Sequence, residues 1–264
     1  MHVKLSASHF QTEPAQAMSK PEHVLFFGTC LVDLGSPEAG LAAIRLIQQA
    51  GVQVRFPQGQ TCCGQPAYHS GYRDEARRVA RQQIAALQGS EPVVVPSASC
   101  AGMMRNHYPR LFEGTADAER ANAMADRVVE LCDFLARVLR IELADKGQPL
   151  RVALHHSCSA RRELDVAGAA AALLGRLANV KVVEPDHAEE CCGFGGTFAI
   201  KEPEISAAMA ADKASSLAAT EADVLVSQDC GCLMNIGGTA EKAGVALKTM
   251  HIAELLWKRC QAPS

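Results

Sequence analysis

The chain carries 264 residues, 48% hydrophobic and 21% charged, an ordinary globular balance that excludes wholesale disorder. Its 26 basic and 29 acidic side chains leave a net charge of −3, which argues against a nucleic-acid binder, since such a protein presents a basic face. No apolar run approaches the roughly 18 residues of a membrane span; the longest, Val166 to Gly175, is Ala-rich and bounded by Asp165 and Arg176.

Residues 1–20 hold His2, Lys4 and Glu13 without an apolar block, so they read as a loose extension and not as a secretory signal. Val24 to Phe27, ending at Gly28, reads as a buried strand. Pro37 to Ala50 follows as a helix, with Leu41, Ile44 and Ile47 at helical spacing and Gly51 as its stop. Val52 to Phe56 alternates like a second strand. Arg73 to Leu87 is a helix with Ala76, Val79, Ala80, Ile84 and Leu87 inward. Val93 to Val95 is a third strand, and Val129 to Leu139 a closing helix. The order then repeats: strand Arg151 to His155, an Ala-rich helix to Leu177, strand Val180 to Val183, helix Pro203 to Leu217, strand Asp223 to Val226, and helix Ile252 to Lys258. Strands separated by helices imply parallel pairing through right-handed crossovers. The expected fold is α/β: two pseudo-symmetric, Rossmann-like parallel-sheet halves, residues 21–145 and 146–264, joined through the polar link at Ala144 to Pro149.

Eleven cysteines are the unusual feature of the composition. Without an export signal they belong in a reducing compartment, where metal binding or redox chemistry is a commoner use of thiols than structural disulfides. They repeat. Cys30, Cys62-Cys63-Gly64 and Cys100 are answered, at a nearly constant offset, by Cys158, Cys191-Cys192-Gly193 and Cys230-Gly231-Cys232. The apolar runs before them repeat as well, which points to an internal duplication of about 130 residues, far longer than a solenoid repeat. Each cysteine follows a predicted strand, and the carboxyl ends of parallel strands are where open α/β sheets gather ligands. Three loops can therefore converge four thiolates: Cys30, Cys62, Cys63 and Cys100 in the first half, and Cys158, Cys191 and Cys192 with Cys230 or Cys232 in the second. Four soft sulfur donors suit an iron–sulfur cluster or zinc. The glycine after each pair lets the chain curl so that both sulfurs face one centre. Counted from Cys100, the offset shared by the other thiols falls nearer Cys230 than Cys232 and favours Cys230 as the fourth thiol of the second site.

Other candidates read as structural. Cys132 lies in an apolar helix whose counterpart places Ile252 there, the mark of a core position, and Cys260 stands among polar residues as an idle, exposed thiol. His155, His156, His187, His69 and His251 lie near the cysteines and could ligate metal or move protons. For His155, which continues a strand, core packing or backbone hydrogen bonding is the preferred reading. Lys201 and Arg161 could offset a negative cluster or simply be solvated. No phosphate loop or dinucleotide fingerprint is present.

The motifs Gly28-Thr29-Cys30, Gln60 to Pro66, Pro96 to Cys100, His156-Ser157-Cys158, Cys191 to Phe198 and Gly231 to Ile236 resemble the cysteine-rich CCG-domain family of iron–sulfur oxidoreductases, in its lactate-utilisation protein A type. The resemblance runs from about Val24 to Trp257. It implies a cytoplasmic electron-transfer subunit carrying clusters, [4Fe–4S] by preference, that supports oxidation of L-lactate to pyruvate with two separately encoded partner subunits. It favours Cys232 over Cys230 as the ligand, with Cys230 a spectator or a substitute. The broader family often ends each motif in Cys-x-x-Cys, giving five thiols per site; here Met103 and Asn235 occupy the final positions, which leaves four. Two alternatives stand beside this reading: a zinc-binding scaffold, and a metal-free thiol–disulfide reductase of heterodisulfide type working through the vicinal pairs.

Overall fold

Triple-valine and Val/Leu runs too short for helices become the central strands of two sheets in the computed structural model, which describes residues 19–261. Of the expected extension only Ser19 and Lys20 lie among the described residues, and residues 262–264 also lie outside them. The first half comprises β1 (His23–Phe26), α1 (Cys30–Gly35), α2 (Pro37–Gln49), β2 (Gln53–Arg55), α3 (Gln65–His69), α4 (Arg73–Ala86) and β3 (Val93–Val95). It continues through α5 (Ala98–Gly102), a π-type turn over Met103–His107, α6 (Tyr108–Phe112) and α7 (Ala118–Ala125) to β4 (Val128–Glu130) and α8 (Leu131–Asp133), which a second π-type turn, Phe134–Val138, extends. The second half comprises β5 (Leu150–His155), a π-type turn over Ser159–Glu163, α9 (Ala167–Leu174), β6 (Val180–Val183), α10 (Phe198–Lys201), α11 (Pro203–Ala218), β7 (Val224–Ser227), α12 (Cys230–Lys242), β8 (Thr249–His251) and α13 (Ile252–Cys260).

Each half builds a four-stranded, all-parallel sheet, in the orders β2-β1-β3-β4 and β6-β5-β7-β8. The identical order makes the halves two copies of one α/β unit. Strand side chains alternate between faces. Val24 and Phe26 of β1, Val94 of β3, Val152 and Leu154 of β5, and Val224 and Val226 of β7 all enter one shared core. Leu25, Phe27, Val93 and Val95 face a layer belonging to the first half, and Ala153 and Leu225 one belonging to the second. Helix α13 packs on α2 within the shared core, so the halves are fused through their hydrophobic centre. Among the described residues no helix is long and apolar enough to cross a membrane.

Several local expectations change. The closing helices are each preceded by a short strand, β4 and β8, with Val128 and Val129 hydrogen-bonded to β3 before the chain turns helical at Leu131. Strand register equates Val95–Glu130 with Ser227–His251. Cys132 is therefore matched by Ala253, next to the Ile252 expected, and it is fully buried in the shared core as a small hydrophobe. Leu41 is 45% exposed because the inner stripe of α2 runs through Ala39, Ala42, Ala43, Leu46 and Ile47. Cys260 is buried, not exposed. The last turn of α13 is drawn in by an Arg259–Asp145 ion pair at 2.7 Å and by the Lys146 N–H donating to Arg259 O at 2.8 Å.

Candidate metal centres

Every candidate thiol lies beyond the carboxyl end of a strand. Cys30 opens α1 after β1, Cys100 lies in α5 after β3, Cys158 follows β5, and Cys232 lies in α12 after β7. The pairs Cys62-Cys63 and Cys191-Cys192 sit in the loops that enter α3 and precede α10. The loop before α1 is strained: Thr29 has φ 54°, a left-handed conformation unusual for a β-branched residue, and its Oγ1 accepts from Val32 N–H at 3.2 Å to cap the helix.

In the first half the structure brings Cys30, Cys62, Cys63 and Cys100 together. Cys63 and Cys100 are buried with their sulfurs 3.4 Å apart, while half-buried Cys30 and Cys62 hydrogen-bond to one another at the rim of an open cleft of about 240 Å3. The second half repeats this with Cys158, Cys191, Cys192 and Cys232. The buried Cys192 and Cys232 sulfurs are 2.9 Å apart, and Cys158 contacts Cys191 at the rim. Here Cys191 lines a cleft of about 580 Å3 whose walls include His69 and Ser70 of the first half and Thr197 and Lys201 of the second. Ser70 Oγ and Thr197 Oγ1 hydrogen-bond across it at 2.6 Å.

Cys230 does not join the quartet. Residue 97 caps α5 as residue 229 caps α12, so Cys232 is the counterpart of Cys100, and Cys230 that of the buried Ala98. The Cys230 thiol packs against Val32 and Ala39 of the other half, where burial pushes it up to about 12. The repeat offset is therefore slightly longer in this segment than at the paired cysteines, because the second half carries extra chain between its Cys-Cys pair and α12.

The electrostatics of each quartet are those of sulfurs crowded together. Hydrogen bonds from Cys30 and Cys63, and then from the Gly64 N–H, hold Cys62 down to about 3. Bonds from Cys158 and Cys192 hold Cys191 down to about 2. Cys30, Cys158 and Cys192 are driven upward, first by donating to those sulfurs, and Cys63 first by donating to Cys100 and then to Cys62, with burial adding to each. For Cys232 the bond from Cys192 pulls downward, but burial together with the negative charge of Asp229 and Cys191 outweighs it and the thiol is raised. In each quartet one sulfur, Cys62 or Cys191, is thus pushed toward the thiolate while the rim thiol that donates to it is pushed the other way, an imbalance that positive charge relieves. A metal supplies that charge and ionises its thiols outright. Four convergent soft sulfurs from three loops fit zinc or an iron–sulfur cluster on donor chemistry.

The paired cysteines are shaped by the glycine that follows. Gly64 has φ 86° and Gly193 φ 80°, and each N–H donates to the first sulfur of its pair at 3.4 Å. A Cβ on Gly193 would lie 2.8 Å from Ser206 O, so this turn admits no side chain.

Several side chains whose contacts the sequence did not reveal fix the loops. Gln60 accepts from Gly28 N–H and donates to Phe26 O, tying the first cysteine pair to the end of β1. Tyr108 donates its hydroxyl to Cys63 O at 2.8 Å. Asn235, at a position where the broader family carries a fifth cysteine, donates to Cys192 O at 2.7 Å, and the matching Met103 is fully buried in the first half's apolar layer. Lys213 is 1% exposed and donates to His187 O at 2.6 Å. Its signal lies in α11, where it interrupts the apolar stripe of Ala210, Ala214 and Leu217.

The histidines divide. His155 is buried, as the packing reading expects, but its Nε2 has no hydrogen-bond partner, and a ring nitrogen lies with the Cys192 and Cys232 sulfurs in a group within 4.8 Å of one another. His251 caps α13, Nδ1 accepting from Ala253 N–H, and its Nε2 donates across the halves to Pro96 O at 3.2 Å. His69 lies against Tyr68 and His107, and His187 contributes its carbonyl to Lys213. Arg161 pairs with Glu189, and Lys201 lies 5.4 Å over the ring of Tyr72.

The model of the cysteine-rich domain CCG matches the chain twice, over residues 24–105 and 152–237, one match in each half. The chain is 41% identical over 236 residues to lactate utilization protein A 2 of Bacillus cereus strain Q1, covering 89% of this chain and 98% of that protein. It is 43% identical over 239 residues to lactate utilization protein A of Geobacillus sp. strain WCH70, covering 89% and 99%. Among solved structures, a hypothetical protein from Helicobacter pylori superposes with a TM-score of 0.62 at 9% identity, over 92% of this chain and 50% of that one, a likeness of fold.

Proposed function

Because the chain belongs to the cysteine-rich domain family, with full-length relatives named lactate utilization protein A, we propose that it serves lactate utilisation as an iron–sulfur electron-transfer subunit. In this reading Cys30, Cys62, Cys63 and Cys100 hold one cluster, and Cys158, Cys191, Cys192 and Cys232 a second, each of [4Fe–4S] type. The observation that carries it is the convergence, twice, of four thiols from three separate strand ends onto one point. Such a centre, when bound, takes up and returns single electrons. The chain's own residues shape its surroundings. Cys63, Cys100, Cys192 and Cys232 keep one side of each centre dry, while Cys30, Cys62 and Cys191 line the clefts, and Cys158 is exposed, where a redox partner can approach. The chain works in the cytoplasm with two further subunits, one of which supplies the group that accepts the pair of electrons from L-lactate.

A second reading, zinc in a scaffold, is favoured at one place by the compactness of the His155–Cys192–Cys232 group, which suits a single ion. Purification without oxygen, followed by counting of iron, sulfide and zinc and by visible and EPR spectra, separates the readings. Iron and sulfide at about four each per quartet, with broad absorption, are expected. About one zinc per quartet in a colourless protein overturns the cluster reading in favour of the scaffold. Absence of all three, with a vicinal disulfide that forms and reduces reversibly, overturns both in favour of thiol–disulfide chemistry.

A further inference from the structure

The duplication lets each half serve as a control for the other, because equivalent backbone positions face both quartets. A Cβ on Gly64 would meet Ala76 O and Val79, and one on Gly193 would meet Ser206 O and Met209. Helix α11 is therefore the counterpart of α4, with Ser206 matching Ala76, and the same register sets Lys213 where the first half has Gln83. Counting back by three from Cys30 and from Cys158 pairs Phe27 with His155.

Around the first quartet both positions are uncharged. Phe27 is fully buried in the layer that holds Cys63 and Cys100. Gln83, also fully buried, spends its amide on Thr61, accepting from the N–H and donating to Oγ1. Around the second quartet both positions are polar. The Lys213 ammonium, buried and anchored on His187 O, is faced by the exposed Glu190 and by Arg161, and after them by Cys192 and Cys191. His155 turns a ring nitrogen toward Cys192 and Cys232, and its Nε2 finds no partner in the protein. One buried acid opposes them: Asp229 faces Cys158 and Cys232. Its Oδ1 accepts from Ser97 Oγ, Ser99 N–H and Ser99 Oγ at 2.7–3.0 Å, which turns part of its charge toward the seam between the halves, while its Oδ2 is buried without a partner. The ammonium of Lys213 makes no such ion pair among the described residues.

We propose that Lys213 and His155 make the two centres unequal, favouring the reduced, more negative state of the group held by the second quartet, so that the second centre takes up an electron at a higher potential than the first. The inference rests on the iron–sulfur reading above. Its physical basis is that a buried positive charge and a hydrogen bond aimed at ligand sulfur both stabilise the added electron, with little screening by solvent.

The test uses the full-length chain reconstituted anaerobically with iron and sulfide. Cys191→Ala leaves the first centre to be observed alone, and Cys62→Ala the second, each followed by EPR during a redox titration. The second centre is expected to titrate at the higher potential. In the Cys62→Ala background, Lys213→Gln and His155→Phe, each the residue of the other half, should lower it. The expected change is about tenfold in the ratio of oxidised to reduced centre at fixed ambient potential, about 59 mV for one electron. The same substitutions in the Cys191→Ala background should leave the first centre unmoved, whereas Gln83→Lys there should raise it. Equal potentials in the two single-centre proteins overturn the proposal, as does a second-centre potential that stays in place in both iron-loaded variants. Absence of iron from both quartets overturns the iron–sulfur reading itself, and the ordering with it.

Discussion

Cys230 and Cys232 stand two positions apart on one helix, and α-helical geometry sends side chains at that spacing to nearly opposite sides. Cys232 meets Cys192 at 2.9 Å, whereas Cys230 is spent on Val32 and Ala39. Replacing Cys232 with Ala is therefore expected to remove the metal of the second centre, about half the total per chain. Cys230→Ala should retain all of it. Cys62→Ala should remove the other half, and Cys132→Ala should retain full metal while losing about 1 kcal/mol of stability from a small core cavity. Elemental analysis of the four purified variants reads this directly; metal in Cys230→Ala at the level of Cys232→Ala would reverse the assignment. Seven of the eight thiols are legible in the sequence because adjacent cysteines followed by glycine, with flanking cysteines at a nearly constant offset, are a repeated pattern. The offset alone favours Cys230 in the eighth place, and only the family resemblance favours Cys232 there. Lys213 and Asn235 are not legible, because each acts on a loop distant from it along the chain, and only the packing of α11 and α12 beside that loop reveals the contact.

The starts of the long helices are legible to the residue and their ends to within one: α2, α4 and α11 begin where expected, fixed by Pro37 and Pro203 at the first turn in two of the three. Strands β4 and β8 are hidden, since each is very short and runs without a break into an apolar helix, so period alone cannot divide strand from helix. The end of α13 misleads for a different reason. Lys258, Arg259 and Cys260 look like a solvated terminus, but the Arg259 and Asp145 side chains are 8% and 1% exposed and form a multidentate pair. Burial pulls the Asp145 carboxyl upward, and the Arg259 hydrogen bonds together with the N–H groups of Asn179 and Gly147 overcome this and hold it below the usual carboxylate range. Asp145→Ala leaves the guanidinium buried without its partner and is expected to cost about 3 kcal/mol in urea unfolding. Because the folded value lies below the unfolded one, this contribution is present at neutral pH and disappears as pH falls through the folded value. The gap between wild type and variant should therefore close in acid. A gap that persists unchanged at low pH, or that is absent at neutral pH, would show that the pair does not hold α13 in place.

The two halves meet through more than the shared apolar core. Asp229 takes three hydrogen bonds from Ser97 and Ser99, His251 reaches Pro96 O, Ser70 meets Thr197, and Lys201 lies over Tyr72. Helices α5 and α12, which carry Cys100 and Cys232, begin at this seam, so the geometry of each centre depends on the other half. Nothing in the sequence announces these pairings, because partners drawn from different copies of the repeat become neighbours only through the symmetry of the fusion. The same symmetry sets Glu130 opposite His251 as the residue capping a closing helix. Glu130 accepts from Asp133 N–H at 3.0 Å through Oε2, while its Oε1 is buried without a partner. Burial, aided by the nearby Asp229 and Asp133, raises its carboxyl from 4.5 to about 8. Between those values the folded chain keeps a proton that the unfolded chain has released, so Glu130 weakens the fold progressively as pH rises, by up to about 1.4 kcal/mol per unit. Glu130→Gln keeps an acceptor for Asp133 and removes the titration. Its stability relative to wild type should therefore increase from pH 5.5 to pH 8 (on the order of a few kcal/mol in urea unfolding) and stay level above that. Parallel pH profiles for the two proteins would mean that Glu130 is already ionised in the folded state, balanced by a positive charge reaching the seam.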